Sequence, residues 1–238
     1  YVNGTLQATG TNPYSVGSAS GLVINGANDN NGLGNAGTSF YLSNFRFMPG
    51  TVLYSSAFTP STSPLTTTSQ GATASNVGLL TCQSSTFIDN STNNFTITAN
   101  GDSKPTTFNP FTVSYSTNQQ YSTSVIGGSM YFDGTGDYLA TPTSAGFGFG
   151  TGTFTFEAWV YPTSVATAGQ QLFFRRTSVA AIGLILQIDS SKLNLLAGDS
   201  NTSAWEVNIS SSTTLSNSAF ASAVSLSNSG IISSILSW

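Results

Sequence analysis

Thr153-Phe154-Thr155-Phe156-Glu157-Ala158-Trp159-Val160-Tyr161 is the stretch whose reading decides the fold. Phe154, Phe156, Ala158 and Val160 fall on one side of an extended chain, and Thr155, Glu157, Trp159 and Tyr161 on the other. Side chains alternate across a strand with a period of two, so this pattern predicts a strand with one apolar face turned to a core. Pro162 ends the run, because proline cannot donate to a sheet ladder.

Working outward, the same kind of signal recurs. Ser129 to Phe132 predicts a strand, Asp133-Gly134-Thr135-Gly136-Asp137 a tight acidic turn, and Tyr138 to Ala140 a strand after it. Leu172–Arg175, Gly183–Asp189, Lys192–Leu196 and Trp205–Ile209 predict further strands, at the spacing of a β-sandwich. Near the start, Tyr1-Val2 leads into the hairpin signal Asn3-Gly4, and Gly21 to Ile24 is closed by Asn25-Gly26. Phe40 to Phe47 predicts a strand stopped by Pro49-Gly50. Strict alternation there puts Tyr41, Ser43, Phe45 and Phe47 on one face, with Leu42, Asn44 and Arg46 on a more polar one.

Between these blocks lies a different composition. Residues 59–76 are rich in Pro, Ser and Thr and read as a linker or an extended wrapping segment. Weak strand signals follow from Val77 to Thr98. After Ser216 the chain is uncharged and Ser-rich, with scattered apolar residues, and is expected to pack loosely or not at all.

Composition supports an all-β reading. The 238 residues include 39 Ser, 33 Thr and 20 Asn, and only 6% are charged, against about 25% in an ordinary domain. Ser, Asn and Gly disfavour helix interiors, while Thr, Val, Phe and Tyr favour strands. Aromatic content of 12% argues against intrinsic disorder. Net charge is −4, and Arg46, Lys104, Arg175, Arg176 and Lys192 are scattered, so no nucleic-acid partner is expected. The longest apolar run, Val179 to Leu186, is too short for a membrane helix, so no membrane span is expected. With no histidine, a Ser-His-Asp centre and imidazole zinc ligation are excluded. Cys82 is the single cysteine and reads as a small buried apolar residue.

Tyr131 to Leu139 followed by Phe154 to Pro162 resembles the opening half of a laminin G-like, concanavalin A-like jelly-roll domain. Tyr1 to Thr5, Gly21 to Gly26 and Tyr41 to Arg46 look like the closing half of the same domain type. Leu53-Tyr54, Phe58 to Pro60, Leu79 to Gln83 and Phe87 to Ser91 are similar to tails and spacers in repetitive structural proteins of marine bacteriophages. The resemblance implies an all-β, concanavalin A-like jelly-roll β-sandwich, cut as a fragment from a tandem array. Residues 1–58 would be a closing half, 59–126 a spacer with short strands, and 127–238 an opening half with an irregular tail. Within one chain, 1–58 and 127–210 are expected to pair as one permuted sandwich.

The functional expectation is a non-enzymatic structural or adhesion module of a virion fibre or surface protein, with glycan binding. The alternative is a secreted bacterial adhesin or calcium-dependent lectin module at the cell surface. Expected partners are cell-surface glycans and neighbouring repeats or subunits of the same assembly. Asp133 and Asp137 are the metal candidates, since calcium takes carboxylate and carbonyl oxygens from flexible turns, and the resemblance implies calcium in some members. Both also suit a plain turn. Trp159, Tyr161 and Trp205 are the candidates for stacking on sugar rings, against a plain core role. Glu157 lacks the alternate-position acid that a strand-borne glycosidase pair needs, so it is expected to face solvent or pair across strands.

Overall fold

A computed structural model describes residues 1, 4–9, 21–28, 33–35, 39–111, 127–150, 152–165, 169–176, 183–198, 207–217, 221–227 and 231–232. Among them the chain is all-β, with three short 3-10 turns at Ser69–Gly71, Ala74–Asn76 and Ala145–Phe147. The strands are numbered along the chain. One sheet runs in the order β1 (Ala8–Thr9), β17 (Ile231–Ile232), β16 (Ala221–Ser227), β11 (Phe154–Pro162), β5 (Ser39–Pro49), β9 (Ser129–Asp133) and β8 (Lys104–Thr106), with β6 (Leu79–Thr81) also paired to β5. The second runs β15 (Val207–Thr214), β14 (Lys192–Gly198), β13 (Gly183–Asp189), β12 (Gln170–Arg176), β2 (Val23–Ile24), β10 (Tyr138–Ala140) and β7 (Thr98–Asn100). A separate hairpin joins β3 (Gly26–Asn28) and β4 (Leu33–Asn35). All pairings are antiparallel, in the sandwich arrangement of a concanavalin A-like jelly roll.

Strands from both sides of the Ser/Thr-rich spacer share each sheet. β5 lies between β9 and β11, and β2 between β10 and β12. The core fills the space between the sheets. Phe45 and Phe156 of the first sheet meet Phe173 of the second, at ring-centroid distances of 5.9 and 4.2 Å. Phe47 lies 5.4 Å from Phe156 in the same layer.

β11 keeps the alternation read from sequence: Phe154, Phe156 and Val160 are core, and Trp159 is on the outer side. β5 does not. Its register against β11 slips between Arg46↔Glu157 and Ser43↔Trp159, so β5 carries one extra residue there. Asn44, at φ 55°, absorbs the bulge. Parity flips across it, and Phe40 and Leu42 join Phe45 and Phe47 in the core. The expected face of Tyr41, Ser43, Phe45 and Phe47 is corrected accordingly.

The Ser/Thr-rich segment wraps the outer face of the first sheet. Leu65 and Ala72 close over Met48, Leu80 and Trp159, with Val77 and Phe111 beside them, in a second small core. Asn44 Oδ1 accepts from Leu65 N at 2.8 Å and Gln83 Nε2 at 2.5 Å, tying the wrap to the bulge. The tail after Ser216, expected to pack loosely, instead supplies β16 against β11 and β17 between β16 and β1. Ser and Thr satisfy a ladder through their backbone, so a weak apolar pattern does not bar a strand. Cys82 is fully buried, and burial pushes its thiol well above the usual range.

Candidate functional site

Two turns cross from one sheet to the other at one corner of the sandwich. The turn between β7 and β8 carries Asp102, and the turn between β9 and β10 carries Asp133 and Asp137. Asp137 is 2% exposed and joins them. Its Oδ1 accepts the Asp102 backbone N–H at 2.6 Å, and its Oδ2 accepts that of Asp133 at 2.8 Å. Gly101 permits the close approach, since at φ +72° a Cβ would lie 2.2 Å from Asp137 Oδ1. Burial pushes the Asp137 carboxyl above its ordinary range. The two N–H donors pull it back, and the charges of Asp102 and Asp133 raise it further.

The carboxylate oxygens of Asp102, Asp133 and Asp137 lie within 4.8 Å of one another. Asp133 and Asp137 were legible in sequence; Asp102, 35 residues before Asp137, was not. Asn25 holds the backbone of the same turn. Its Nδ2 donates to the Asp137 carbonyl at 2.9 Å, while its buried Oδ1 has no donor. An all-oxygen donor set of this kind fits a hard cation such as calcium, with the three Asp residues as the charged ligands.

The aromatic candidates separate. Trp159 is 4% exposed, packed against Phe111 at 5.3 Å beneath the wrapping segment. Its ring has no open face for a sugar, and it is a core residue. Trp205 lies outside the described residues. Tyr161 is half-buried and belongs to a row that sequence reading missed. Lys104, Tyr131, Tyr41 and Tyr161 are successive register partners on β8, β9, β5 and β11. Tyr41 lies 4.8 Å from Tyr131 and 5.9 Å from Tyr161, and Lys104 Nζ sits 5.3 Å over the Tyr131 ring. Phe108 stands edge-on to Tyr41 and Tyr161, at 4.8 Å from each. The only sequence signal for the row was Tyr at matched positions of separate strands, and that needs the register to be known.

Glu157 is 2% exposed and pairs across strands, as one of the two expectations had it. Its Oε1 is in ion-pair and hydrogen-bond contact with Arg46, and its Oε2 accepts from Tyr54 Oη at 2.7 Å. Burial pushes this carboxyl upward, against the pull of Arg46 and Tyr54. Arg46, fully buried rather than on a polar surface, also donates from Nη1 to the Thr66 carbonyl at 2.6 Å and the Ser69 carbonyl at 3.0 Å.

The fold is an all-β antiparallel sandwich, and part of the chain is similar to a family of carbohydrate-binding or structural modules. Residues 133–233 match the family model of the concanavalin A-like lectin/glucanases superfamily. The match begins at Asp133 of the acidic turn and spans β10 to β17. Comparison with curated proteins and with solved structures found no match for the chain. No helix among the described residues is long and apolar enough to cross a membrane.

Proposed function

We propose that this chain is a non-enzymatic structural and adhesive module of a virion fibre or surface protein, which binds neutral glycans along the row Tyr131, Tyr41 and Tyr161. The row itself carries the reading. Three half-buried tyrosines stand in register on adjacent strands, at ring-centroid separations of 4.8 and 5.9 Å, with Lys104 over the Tyr131 ring and Phe108 edge-on to the other two. Aromatic rings suit the apolar C–H faces of sugars, and tyrosine adds a hydrogen-bonding group at the rim. Lys104 is the one cation in the row and the chain is acidic overall, which favours uncharged over acidic sugars.

Three further features support the reading. Glu157 has both oxygens engaged inside the protein, which leaves it poorly placed for acid–base work on a glycosidic bond. The superfamily match is compatible with glycan binding. The low-charge, Ser/Thr/Asn-rich composition and the resemblance to phage repeats support a place among neighbouring repeats or subunits of a virion.

Affinity electrophoresis in gels containing neutral polysaccharides tests the glycan part. Retardation by at least one polysaccharide, weakened in Tyr131→Ala with the melting curve retained, is the expected result. Unretarded migration in every gel, or equal retardation of wild type and Tyr131→Ala, would overturn the assignment of the row. Mass spectrometry of purified virions tests the location.

A further inference from the structure

We propose that the turn between β7 and β8 is a site of spontaneous modification: Asn100 deamidates through attack by the Gly101 backbone nitrogen, and the isoaspartate that forms loosens the hold of this turn on the sandwich. The proposal concerns the ageing of the protein and does not depend on glycan binding. An Asn-Gly pair is open to this reaction because no Cβ on the following residue obstructs the attacking nitrogen. Two such pairs lie wholly within the described residues, Asn25-Gly26 and Asn100-Gly101. The fold requires both glycines. A Cβ on Gly26 would lie 2.3 Å from Val23 Cγ1. One on Gly101, at φ +72°, would lie 2.2 Å from Asp137 Oδ1 and 2.8 Å from the Gly136 carbonyl oxygen. The chain therefore cannot shield Asn100 by exchanging its glycine for a bulkier residue.

The structure separates the two pairs. Asn25 is 1% exposed, its Nδ2 is held by the Asp137 carbonyl at 2.9 Å, and Gly26 lies in the β3–β4 ladder opposite Asn35. Its amide meets water and base only when the corner opens. Asn100 is half-buried at the end of a three-residue edge strand, and Gly101 and Asp102 after it are exposed. Its Nδ2 meets the Thr98 carbonyl at 3.5 Å, a contact long enough to hold the amide only weakly.

Solvent base takes the proton from Gly101 N, which bonds to Asn100 Cγ. The Cγ–Nδ2 bond breaks and ammonia leaves, closing a cyclic succinimide. Water then opens the ring, and no oxidant or reductant takes part. Opening at Cγ gives aspartate. Opening at the Asn100 main-chain carbonyl carbon gives isoaspartate, whose backbone runs through Cβ and Cγ and is longer by a methylene. That carbonyl, which accepts from Ser103 Oγ at 3.1 Å, then becomes a free carboxylate. Either product adds a negative charge to a corner that already carries Asp102, Asp133 and Asp137, and like charges repel. The longer backbone also shifts the Asp102 N–H, which Asp137 Oδ1 accepts at 2.6 Å. β7 and β8 are the last strands of their sheets, so the loosening is confined to this edge.

Peptide mapping by mass spectrometry, on intact protein aged at mildly alkaline pH and then digested, is the test. Asn100 is expected to show the mass gain of an NH2-for-OH exchange, and an isoaspartyl methyltransferase is expected to label the aged protein there. In the folded protein Asn25 should convert more slowly than Asn100 by about tenfold or more, because it reacts only through opening. In guanidinium the two should convert at similar rates, since burial no longer separates them. Hydrogen exchange at the Asp102 N–H should quicken on ageing. Asn100→Ser, which keeps the backbone bonds of the turn, should abolish that change. Three results would each overturn the proposal: no conversion at Asn100 in the folded protein, conversion of Asn25 as fast as Asn100 there, or equal quickening in aged wild type and aged Asn100→Ser. The mapping compares two residues of the wild-type chain, so it decides the matter whether or not the variant folds and whether or not any sugar binds.

Discussion

Arg46 and Glu157 face each other directly across β5 and β11, with their ion pair closed off from solvent on the outer side of the first sheet. The pair does more than join two strands. Arg46 reaches on to the Thr66 and Ser69 carbonyls, and Tyr54 caps the far oxygen of Glu157. The sheet, the wrapping segment and the chain after β5 therefore meet at one buried charge pair.

Breaking one partner is expected to be costly, because the other stays buried and unpaired. Arg46→Met should lower stability by about 3–5 kcal/mol. The double variant Arg46→Met/Glu157→Leu should recover much of that loss, since a buried pair replaced by apolar residues is often near neutral. Both variants lose the anchors to Thr66 and Ser69, so residues 59–76 should become cleavable by protease under native conditions. Urea denaturation and limited proteolysis check the two parts separately. A double variant as unstable as the single one would refute the charge-pair account.

Trp159 provides the second test, because its ring was a candidate for sugars and lies in the second core. Trp159→Ala should cost about 3–5 kcal/mol, as for other large aromatic truncations. Trp159→Phe should keep the fold and leave polysaccharide retardation at the wild-type level. Retardation lost in Trp159→Phe with an unchanged melting curve would return this residue to the binding surface.

The sandwich was legible where burial on one face writes a period of two into the sequence. Thr153 to Tyr161 shows this, with Phe154, Phe156 and Val160 all in the core. The pattern failed where backbone geometry breaks the period. Nothing in Phe40 to Phe47 marks Asn44 as a bulge, so the faces of Tyr41 and Leu42 came out reversed. Composition also misled at Ala221–Ser227, which pairs with β11 although its residues are mostly small. At the acidic corner, Asp133 and Asp137 share one turn and were readable together. Asp102 and Asn25 arrive from other strands, and only the sheet topology brings them there. The tyrosine row had the same obstacle, being a property of register across separate strands.

Asn44 supplies the last test, since it does two jobs that substitution can separate. Its backbone is left-handed at φ 55°, a region that costs an ordinary L-residue about 1–2 kcal/mol. Its side chain accepts from Leu65 N and Gln83 Nε2 and donates to Ser43 Oγ at 2.7 Å. Asn44→Gly keeps the backbone conformation and loses the side-chain bonds, leaving the buried Leu65 N–H without its acceptor. Asn44→Ala loses the bonds and adds the left-handed cost. Both variants should therefore be less stable than wild type, with Asn44→Ala lower than Asn44→Gly by about 1 kcal/mol. Denaturant midpoints measured on the three proteins give the order. Since Leu65 is held to the bulge through this side chain, hydrogen exchange at Leu65 should speed up in both variants by more than exchange at Phe156. If Asn44→Ala matched or exceeded Asn44→Gly in stability, the left-handed bulge would not be the feature that sets the register of β5. If exchange at Leu65 stayed at the wild-type rate, the wrapping segment would be held by its apolar contacts alone.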